Sequence, residues 1–244
     1  MMPLEVHKND WEELAEFDPM WAVLSEKDKR GNKREAREFF ARGKEEIERL
    51  MAQVGELSEG RERALDFGCG VGRLTRALLA YYKEAHGVDV SDEMVRRAEE
   101  FTPECRFYVN NSEDLSLFPD RTFDLVYSNI VLQHLPSVAM IGKYVKEFFR
   151  VSVPDGLVVF QVPFRKSYRN TFNLKRTAFH LLKSLGVRSD VMFRQLRLHP
   201  MRMTAVSQKE VLAIIEESGG EVVKQSRDQS AHFAVFYYCR RVAR

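Results

Sequence analysis

From residue 63 onward, short apolar runs alternate with amphipathic stretches along the chain. The apolar runs have the length of buried strands, and the stretches between them repeat apolar residues at helical spacing. The predicted strands cover residues 63–67, 85–90, 106–109, 123–128 and 157–162, and the predicted helices cover residues 72–81, 92–100 and 137–149. This alternation indicates an α/β protein with a parallel sheet, whose ligands bind at the carboxyl ends of the strands.

The segment before this region lacks the alternation of apolar runs and amphipathic stretches. Residues 1–32 are predicted to be irregular and contain both tryptophans of the chain, Trp11 and Trp21. These two side chains either fold over a ligand or pin the segment to the core. Apolar residues at helical spacing predict an amphipathic helix over residues 33–54, with Asn32 as its cap.

The segment after the fifth predicted strand also departs from the alternation. Residues 164–203 contain a predicted basic amphipathic helix. Its apolar face is predicted to carry Phe172, Ala178, Phe179, Leu181, Leu182 and Leu185. Ser207 and Glu210 have the spacing of a capping box. The last predicted elements are a helix over 207–218, strands over 221–226 and 232–239, and a hairpin turn at Arg227–Ser230.

The first predicted strand runs into a glycine-rich turn, D-F-G-C-G-V-G, which begins at Asp66 and places glycine at positions 68, 70 and 72. Glycines in such a turn adopt φ > 0 and let a ligand approach the backbone. Asp66, near the end of the strand, can hold a cation or a hydroxyl group over the turn. The alternative is an ordinary β–α turn in which Asp66 caps the following helix.

Two further loops narrow the choice of ligand. Asp89 ends the second strand and can accept hydrogen bonds from both hydroxyls of a ribose. Asn111 and Ser112 follow the third strand and suit the edge of an adenine. Asp66 repels a pyrophosphate and attracts an ammonium group, and the spacing G-x-G-x-G differs from that of NAD sites, so an NAD oxidoreductase is disfavoured. Adenine, ribose and a cationic amino-acid tail together describe S-adenosylmethionine.

Five stretches resemble, in order, the motifs of class I S-adenosylmethionine-dependent methyltransferases, in the small-molecule group (methyltransferase type 11/25-like) that includes enzymes acting on quinone-like compounds. They are A-L-D-F-G-C-G-V-G-R, G-V-D-V-S-D-E-M, N-N-S-E-D-L, F-D-L-V-Y-S-N-I-V-L-Q-H-L and P-D-G-L-V-V-F, over about residues 60–165. The resemblance implies a Rossmann-like three-layer sandwich with a seven-stranded, mostly parallel sheet of order 3-2-1-4-5-7-6 and strand seven antiparallel. It also implies an N-terminal arm and covering helix in residues 1–60 and a methyltransferase domain in residues 61–244.

The resemblance further implies a role for individual residues. The methionine part of the cofactor is expected to lie against Asp66, Phe67, Gly68, Cys69 and Gly70, with Asn129 near its amino group. Asp89 is expected to bind the ribose, Val90 and Met94 to contact the adenine, and Asn111 and Ser112 to read its edge. The family more often has aspartate at the position of Asn111, whose amide oxygen can also accept from the adenine amino group. The product cofactor is S-adenosylhomocysteine.

His134 is the best candidate for a catalytic base, because it follows the fourth strand on the ligand edge. The alternative is that it bonds the backbone or packs beside Pro136. Gln133 is a second candidate to face the site, and His180 and His199 are candidates to approach an acceptor. His86 and His232, on predicted strands, are expected to be structural. No cluster of histidine, cysteine and acidic residues has metal-ligand spacing, so no metal is predicted.

Charge changes the picture in one place. The chain carries +2 overall, whereas residues 164–203 hold ten Lys or Arg and one acid. This stretch follows the fifth strand and is interpreted as a basic substrate lid for an anionic acceptor. Trp21 of the arm is a further candidate substrate contact. The candidate contacts of the lid are Arg165, Lys166, Arg169, Lys175 and Arg176. The alternative is a solvated basic face or a contact with another subunit.

The remaining composition indicates a cytoplasmic protein. Three distant cysteines form no disulfide framework, the polar N-terminus is unlike a signal peptide, and no apolar run is long enough to cross a membrane. The predicted function is methyl transfer from S-adenosylmethionine to a small molecule. Two alternatives remain open: a non-catalytic S-adenosylmethionine-binding protein and an RNA methyltransferase, although nothing in the basic tract resembles an RNA-binding module. The oligomeric state is left open.

Overall fold

A computed structural model of the chain describes residues 3–55, 57–164, 166–227 and 234–242. Its centre is a seven-stranded sheet with the order β3-β2-β1-β4-β5-β7-β6, as the sequence motifs imply. The strands are β1 Arg63–Phe67, β2 Glu84–Asp89, β3 Arg106–Val109, β4 Phe123–Ser128, β5 Ser152–Pro163, β6 Gly220–Arg227 and β7 Ala234–Arg241. Strand β7 is antiparallel to both of its neighbours, and the other six strands run in the same direction as one another.

Helices cover both faces of the sheet. They are α1 Pro3–Phe17, α2 Pro19–Val23, α3 Ala36–Val54, α4 Arg73–Leu78, α5 Asp92–Phe101, α6 Val138–Val151, α7 Lys166–Ser184, α8 Ser189–Arg194 and α9 Gln208–Glu217. Successive residues of a strand point to opposite faces, so Leu65 joins the core under α6 and α9, while Ala64 joins the core under α3, α4 and α5. The predicted three-layer sandwich is confirmed. Among the described residues, no helix is long and apolar enough to cross a membrane.

Most boundaries of the alternating region lie within a few residues of their predicted positions. Ser137 caps α6 and Ser207 forms a capping box with Glu210 at α9, as the sequence predicts. Strand β5 begins at Ser152, five residues earlier than predicted, because the Pro154–Gly156 turn is a bulge within the strand. Asp155 there has a φ of 63°. The predicted hairpin turn after Arg227 falls outside the described residues.

The N-terminal segment is where the prediction of irregular structure is wrong. Helices α1 and α2 occupy most of residues 3–23. Leu4, Trp11 and Leu14 lie on one face of α1, and that face is completed by a histidine, His7, which hid the periodicity. Pro19 also looked irregular, yet proline is favoured in the first turn of a helix.

Asn32 does not cap α3, contrary to the prediction. The helix begins later, at Ala36, with Glu35 in the N-cap position. Asn32 itself adopts a φ of 58° and its Nδ2 donates to the carbonyl oxygen of Phe17 at 3.1 Å. It therefore closes the turn that returns the chain from α2 towards α3.

The basic segment forms α7 and α8, and its predicted helix is confirmed. Phe193 of α8 stacks on Phe17 and packs edge-on against Trp21, with ring centroids 5.3 Å apart in both pairs. This contact fastens the basic segment to the N-terminal arm. The predicted apolar face of α7 is only partly buried: Phe179 is fully buried, whereas Leu181 and Leu185 are exposed.

Candidate active site

A cavity opens at the carboxyl ends of β1, β2 and β4. The chain leaves β1 towards β2 and β3 and then returns to the other side of β1 as β4. Ligands of open α/β sheets bind at such a reversal of strand order. Most of the predicted cofactor residues line this cavity: Asp66, Phe67, Gly68, Cys69, Gly70, Asp89, Val90, Met94 and Asn129.

The glycine turn forms the floor of the cavity. Gly68 and Gly70 have φ of 77° and 53°, in the left-handed region that favours glycine. A Cβ on Gly68 would lie 2.4 Å from Val131, and one on Gly70 would lie 2.5 Å from Val23 of α2. The turn therefore needs glycine at both positions, since the loop after β4 and the N-terminal arm press directly on its backbone.

Asp89 is held rigidly at the edge of this turn. Its Oδ2 accepts a hydrogen bond from the Gly70 amide at 2.8 Å, and its Oδ1 accepts from the Ser91 amide at 3.0 Å. Burial raises the pKa of this carboxyl, and the backbone donors act in the opposite direction. A carboxylate has about four lone-pair sites, so both oxygens can still accept from a diol.

Asp66 lies deeper and is almost fully buried. The N-cap residue of α4 is Gly72, and Oδ2 of Asp66 accepts from the hydroxyl of Thr75, in the first turn of that helix, at 2.7 Å. The backbone amide of Thr75 also acts on this carboxyl, so Asp66 satisfies donors at the start of α4 as well as lining the cavity. Burial raises the pKa of Asp66 to about 7, although the bond from Thr75 lowers it. The carboxyl is therefore poised to gain a full charge when a cation enters.

A glutamate of α3 supports this end of the cavity by bonding two of its lining residues, and the sequence analysis did not identify it. Glu46 accepts hydrogen bonds from Asn129 Nδ2 and from the Tyr127 hydroxyl, the latter at 3.2 Å. Its other oxygen pairs with Arg73 at 2.8 Å, and Arg73 lines the cavity. A signal was present, because Glu46 falls on the buried stripe of α3 between Gly43 and Ile47.

The loop after β3 differs from its prediction. Asn111 and Ser112 are not in the cavity wall, whereas the preceding residue, Asn110, is. Asn111 is exposed, and its Oδ1 accepts from Lys8 of α1 at 2.8 Å. The Ser112 hydroxyl donates to Asn110 Oδ1 at 2.9 Å. A lysine of α1 thus occupies the amide oxygen of Asn111 that was predicted to bind the adenine. Local sequence spacing cannot reveal this contact, because the two residues are far apart in the chain.

The arm supplies one wall of the cavity through His7, Trp11 and Val23. Trp11 therefore folds over the site, one of the two roles considered for the tryptophans. Trp21 takes the other role: it is buried in the cluster with Phe193, its Nε1 donates to the Glu26 carbonyl at 2.8 Å, and it does not line the cavity. The predicted contact of Trp21 with a substrate is not supported by this placement.

His134 lines the cavity beside Trp11, whose ring centroid lies 5.3 Å away. Its Nδ1 lies 2.6 Å from the Arg202 carbonyl, which only accepts, so Nδ1 carries the proton. Nε2 is then the acceptor, 3.2 Å from the side-chain nitrogen of Gln133. Burial lowers the pKa of His134 to about 4 and that of His7 to about 3, so both rings are neutral at pH 7.

The other histidines and the cysteines lie outside the cavity, apart from Cys69. His180 contacts Asp10 at 3.2 Å, His199 packs beside Trp21, and His86 is buried in β2 beside Tyr108. His232 falls outside the described residues. All three cysteines are buried and free, and burial raises the pKa of Cys69 well above its usual value, in keeping with a space-filling role. Within the described ranges no cluster of metal-ligating side chains occurs.

A polar groove lies next to the cavity, where residues 136–138 continue from His134. Arg176 of α7 and Arg202 both line it. Arg176 pairs with Asp10 at 2.9 Å, whereas Arg202 has no carboxylate partner among the described residues and donates to the Pro136 carbonyl at 2.9 Å. Arg165 falls outside the described residues, and the side chains of Lys166 and Arg169 are likewise not described.

Known proteins with similar sequences and folds agree with this geometry. Residues 65–160 match a family model described as a methyltransferase domain. The chain is 36% identical over 126 residues to 2-methyl-6-phytyl-1,4-hydroquinone methyltransferase of Synechocystis, covering 49% of this chain and 38% of that protein. It is 34% identical over 124 residues to malonyl-[acyl-carrier protein] O-methyltransferase of Halorhodospira halophila, covering 48% of this chain and 40% of that protein. The matched region therefore spans about two fifths of these curated relatives.

Among solved structures, magnesium protoporphyrin IX methyltransferase from Synechocystis with bound S-adenosylhomocysteine superposes with a TM-score of 0.64. The two chains share 15% identity, and the match covers 98% of this chain and 100% of that one. The fold, with its cavity at the reversal of strand order, is therefore the Rossmann-like fold found in methyltransferases. Residues 65–160 are therefore a methyltransferase domain by sequence similarity, and the chain has the fold of class I S-adenosylmethionine-dependent methyltransferases.

Proposed function

We propose that this protein transfers a methyl group from S-adenosylmethionine to a small-molecule acceptor. The observation that carries the proposal is the pairing of a carboxylate, Asp89, with the glycine turn at the switch point of the sheet. The turn lines the cavity, and the carboxylate is held in place by two amide donors. Asp89, fixed by these amides, would hold the ribose of the cofactor.

The chemistry of the cavity fits each part of this cofactor. Asp89 would accept from the ribose, Val90 and Met94 would flank the adenine, and Asn110 is a further polar group in the cavity wall near it. Asp66 and Asn129 would face the methionine end, where a carboxyl with a raised pKa meets an ammonium group. When bound, S-adenosylmethionine supplies a methyl group on a sulfonium centre, which favours in-line transfer to a well-aligned acceptor.

The protein groups nearest the proposed acceptor are His7, Trp11 and His134. Both histidines are neutral at pH 7, and their lowered pKa values make them weak bases. An acceptor that is already ionised needs no base, whereas an alcohol benefits from one. His134 would therefore act less as a base than by accepting a hydrogen bond at Nε2 from a hydroxyl of the substrate, in place of the one from Gln133.

We further propose that the acceptor carries an anionic group. Residues 164–203 hold an excess of nine positive charges, and Arg202 borders the groove beside His134 without a carboxylate partner among the described residues. The groove begins at Pro136, the residue that follows Leu135 of the cavity wall. A carboxylate or a phosphate in the groove would be paired by Arg202.

The test is turnover with methyl-labelled S-adenosylmethionine against a panel of carboxylic acids, sugar phosphates and bulk RNA. The expected result is label transfer to a small acid and formation of S-adenosylhomocysteine. Tight cofactor binding with no transfer to any acceptor would favour a non-catalytic binding protein. Transfer to RNA, with salt-sensitive RNA retention, would favour the RNA methyltransferase alternative.

A further inference from the structure

Helix α7 exposes a line of leucines that nothing in the proposed methyl transfer uses. Leu174, Leu181 and Leu185 are 71%, 60% and 72% exposed. Their spacing places Leu174 and Leu181 on one face of the helix together with Ala178, and Leu185, in the turn directly after the helix, continues the same line. Such a run of large apolar side chains on one exposed face is unusual for a surface helix and marks an interaction site.

The opposite face of α7 explains why this line remains uncovered. Phe179 is fully buried, Arg176 pairs with Asp10, and Lys183 pairs with Glu13. The two ion pairs dock α7 on the N-terminal helix α1. The helix is therefore held in place by one face while the leucine face points away from the protein.

Unpaired positive charges accompany the leucines. Lys175, Arg194 and Arg197 are exposed, and none of them has an ion pair among the described residues. Burial lowers the pKa of His199 and of Arg30, Lys175 and Arg30 lower that of His199 further, and Arg197 lowers that of Arg30 further. Lys175 and Arg197 therefore both lie on the side of the basic segment that carries His199, and Arg194 lies three residues before Arg197 in the chain. A further exposed leucine, Leu196, lies between the two arginines in sequence.

We propose that this surface, defined by Leu174, Leu181, Leu185, Lys175, Arg194 and Arg197, binds the face of an anionic lipid membrane. An amphipathic helix with apolar side chains outward and basic side chains beside them lies in the interface between head groups and acyl chains. The basic side chains then meet the negative surface potential of the bilayer.

Charge complementarity favours a lipid surface over a second copy of the chain. A two-fold contact places the same patch on both sides, so Lys175 and the two arginines would approach their own counterparts. Like charges at close range weaken that contact, whereas anionic head groups strengthen the membrane contact. The surface also lies on the helix that docks against α1, whose other residues line the cavity, so membrane binding would bring the proposed site close to lipid.

The experiment measures co-sedimentation of the full chain with vesicles of phosphatidylcholine alone and with vesicles that contain about one quarter phosphatidylglycerol. The wild type is expected to bind the anionic vesicles, less so as salt rises, and to bind neutral vesicles weakly. The double variant Leu181→Glu/Leu185→Glu should bind the anionic vesicles at least about tenfold more weakly. Because both leucines are exposed, this variant should keep its far-UV circular dichroism and its affinity for S-adenosylhomocysteine.

Two controls make the result specific. Leu212→Glu, which changes a part-exposed leucine of α9, should bind vesicles like the wild type. Arg194→Gln/Arg197→Gln should lose the preference for anionic over neutral vesicles. Equal binding by wild type and the leucine double variant, no vesicle binding by the wild type, or a wild-type dimer that the leucine variant makes monomeric without any vesicle binding would each overturn the proposal. Because cofactor affinity is measured separately, failure of this proposal is distinguishable from failure of the proposed methyl transfer.

Discussion

The three carboxylates at and beside the cavity are held by different hydrogen-bond partners. Asp89 is held by two backbone amides, Asp66 is buried with one hydroxyl partner, and Glu46 bridges Asn129 and Arg73. Each carboxylate is constrained by donors that come from a different element. The electrostatics of the site are therefore set residue by residue, and the consequences can be measured one substitution at a time.

Asp89→Asn is expected to weaken binding of S-adenosylhomocysteine by about ten- to a hundredfold, the cost of losing hydrogen bonds to a charged acceptor. The amide also replaces one acceptor oxygen with a donor, which conflicts with the Gly70 or the Ser91 amide. Titration calorimetry measures the effect, and Glu99→Gln on the exposed side of α5 is the matched control. An unchanged dissociation constant would remove Asp89 from the proposed site.

Affinity for S-adenosylhomocysteine is expected to rise with pH up to about 7 and then level off. The pKa of Asp66 is about 7 because the carboxyl is buried, so below this pH the group is neutral and attracts an ammonium group less. The slope approaches about tenfold per pH unit. His7 and His134 titrate well below this window, with pKa values of about 3 and 4. Asp66→Asn should flatten the profile, and a persistent slope would assign it to another group.

The same shift affects stability in the opposite sense. A folded-state pKa above the ordinary value means that the folded protein binds the proton more tightly than the unfolded chain does. The contribution of Asp66 to stability therefore falls as pH rises from the ordinary value of an aspartate through about 7. Asp66→Asn removes this dependence, which urea denaturation of the unliganded protein at several pH values would show.

Among the secondary-structure elements, α1 covers the cavity and is held in place by hydrogen bonds to the start of α5. One of its side chains, Glu12, accepts hydrogen bonds from the Ser91 hydroxyl at 2.9 Å and from the amides of Asp92 and Glu93 at 2.6 and 3.2 Å. These two amides lie in the first turn of α5 and have no hydrogen-bond partner within the helix, and the helix dipole favours a negative charge there. Helix α1 is thereby tied to the loop that carries Asp89.

Glu12→Ala should lower the free energy of unfolding by about 1–2 kcal/mol, the range found for lost helix N-terminal acceptors. Urea denaturation followed by circular dichroism measures this difference. Glu16→Ala changes an exposed glutamate on the same helix and should leave stability within about 0.5 kcal/mol of the wild type. If the two variants unfold at the same urea concentration, the contact between α1 and α5 contributes no net stability.

For the whole molecule, the cavity is a joint product of distant parts of the chain. The arm, the glycine turn and the loop after β4 each contribute wall residues, as Val23, Gly70 and Val131 illustrate. The basic segment holds the arm from outside through Phe193 and Arg176. A ligand in the cavity therefore contacts parts of the chain that separate on unfolding.

S-adenosylhomocysteine at about 100 times its dissociation constant should raise the free energy of unfolding by about 2.7 kcal/mol, because it binds only the folded state. Thermal or urea unfolding with and without the ligand measures this gain. Asp89→Asn at the same ligand concentration should show a much smaller gain. The absence of any shift at saturating ligand would contradict the cavity as a cofactor site.

Local patterns were enough to predict the alternating part of the fold. The strands and helices between residues 63 and 163 follow from apolar runs, glycine turns and capping residues such as Ser137, which act over a few residues. The turn with Asp66 and the strand end with Asp89 were also recognisable, because their spacing to the neighbouring strand is local. These positions do share one cavity wall in the structure.

What the sequence by itself determined is therefore the sheet region and the residues at the ends of its strands, since short-range periodicity and turn chemistry act there. Only the tertiary structure decided the rest. Residues 3–23 became helical because His7 and Trp11 pack over a cavity built elsewhere, and Glu46 joined the site because α3 lies against α4. Asn110 rather than Asn111 lines the cavity, and Asn111 instead accepts a hydrogen bond from Lys8, more than a hundred residues away in the chain. Contacts between segments that are distant in sequence produce no periodic pattern of residues, so they cannot be predicted from local sequence.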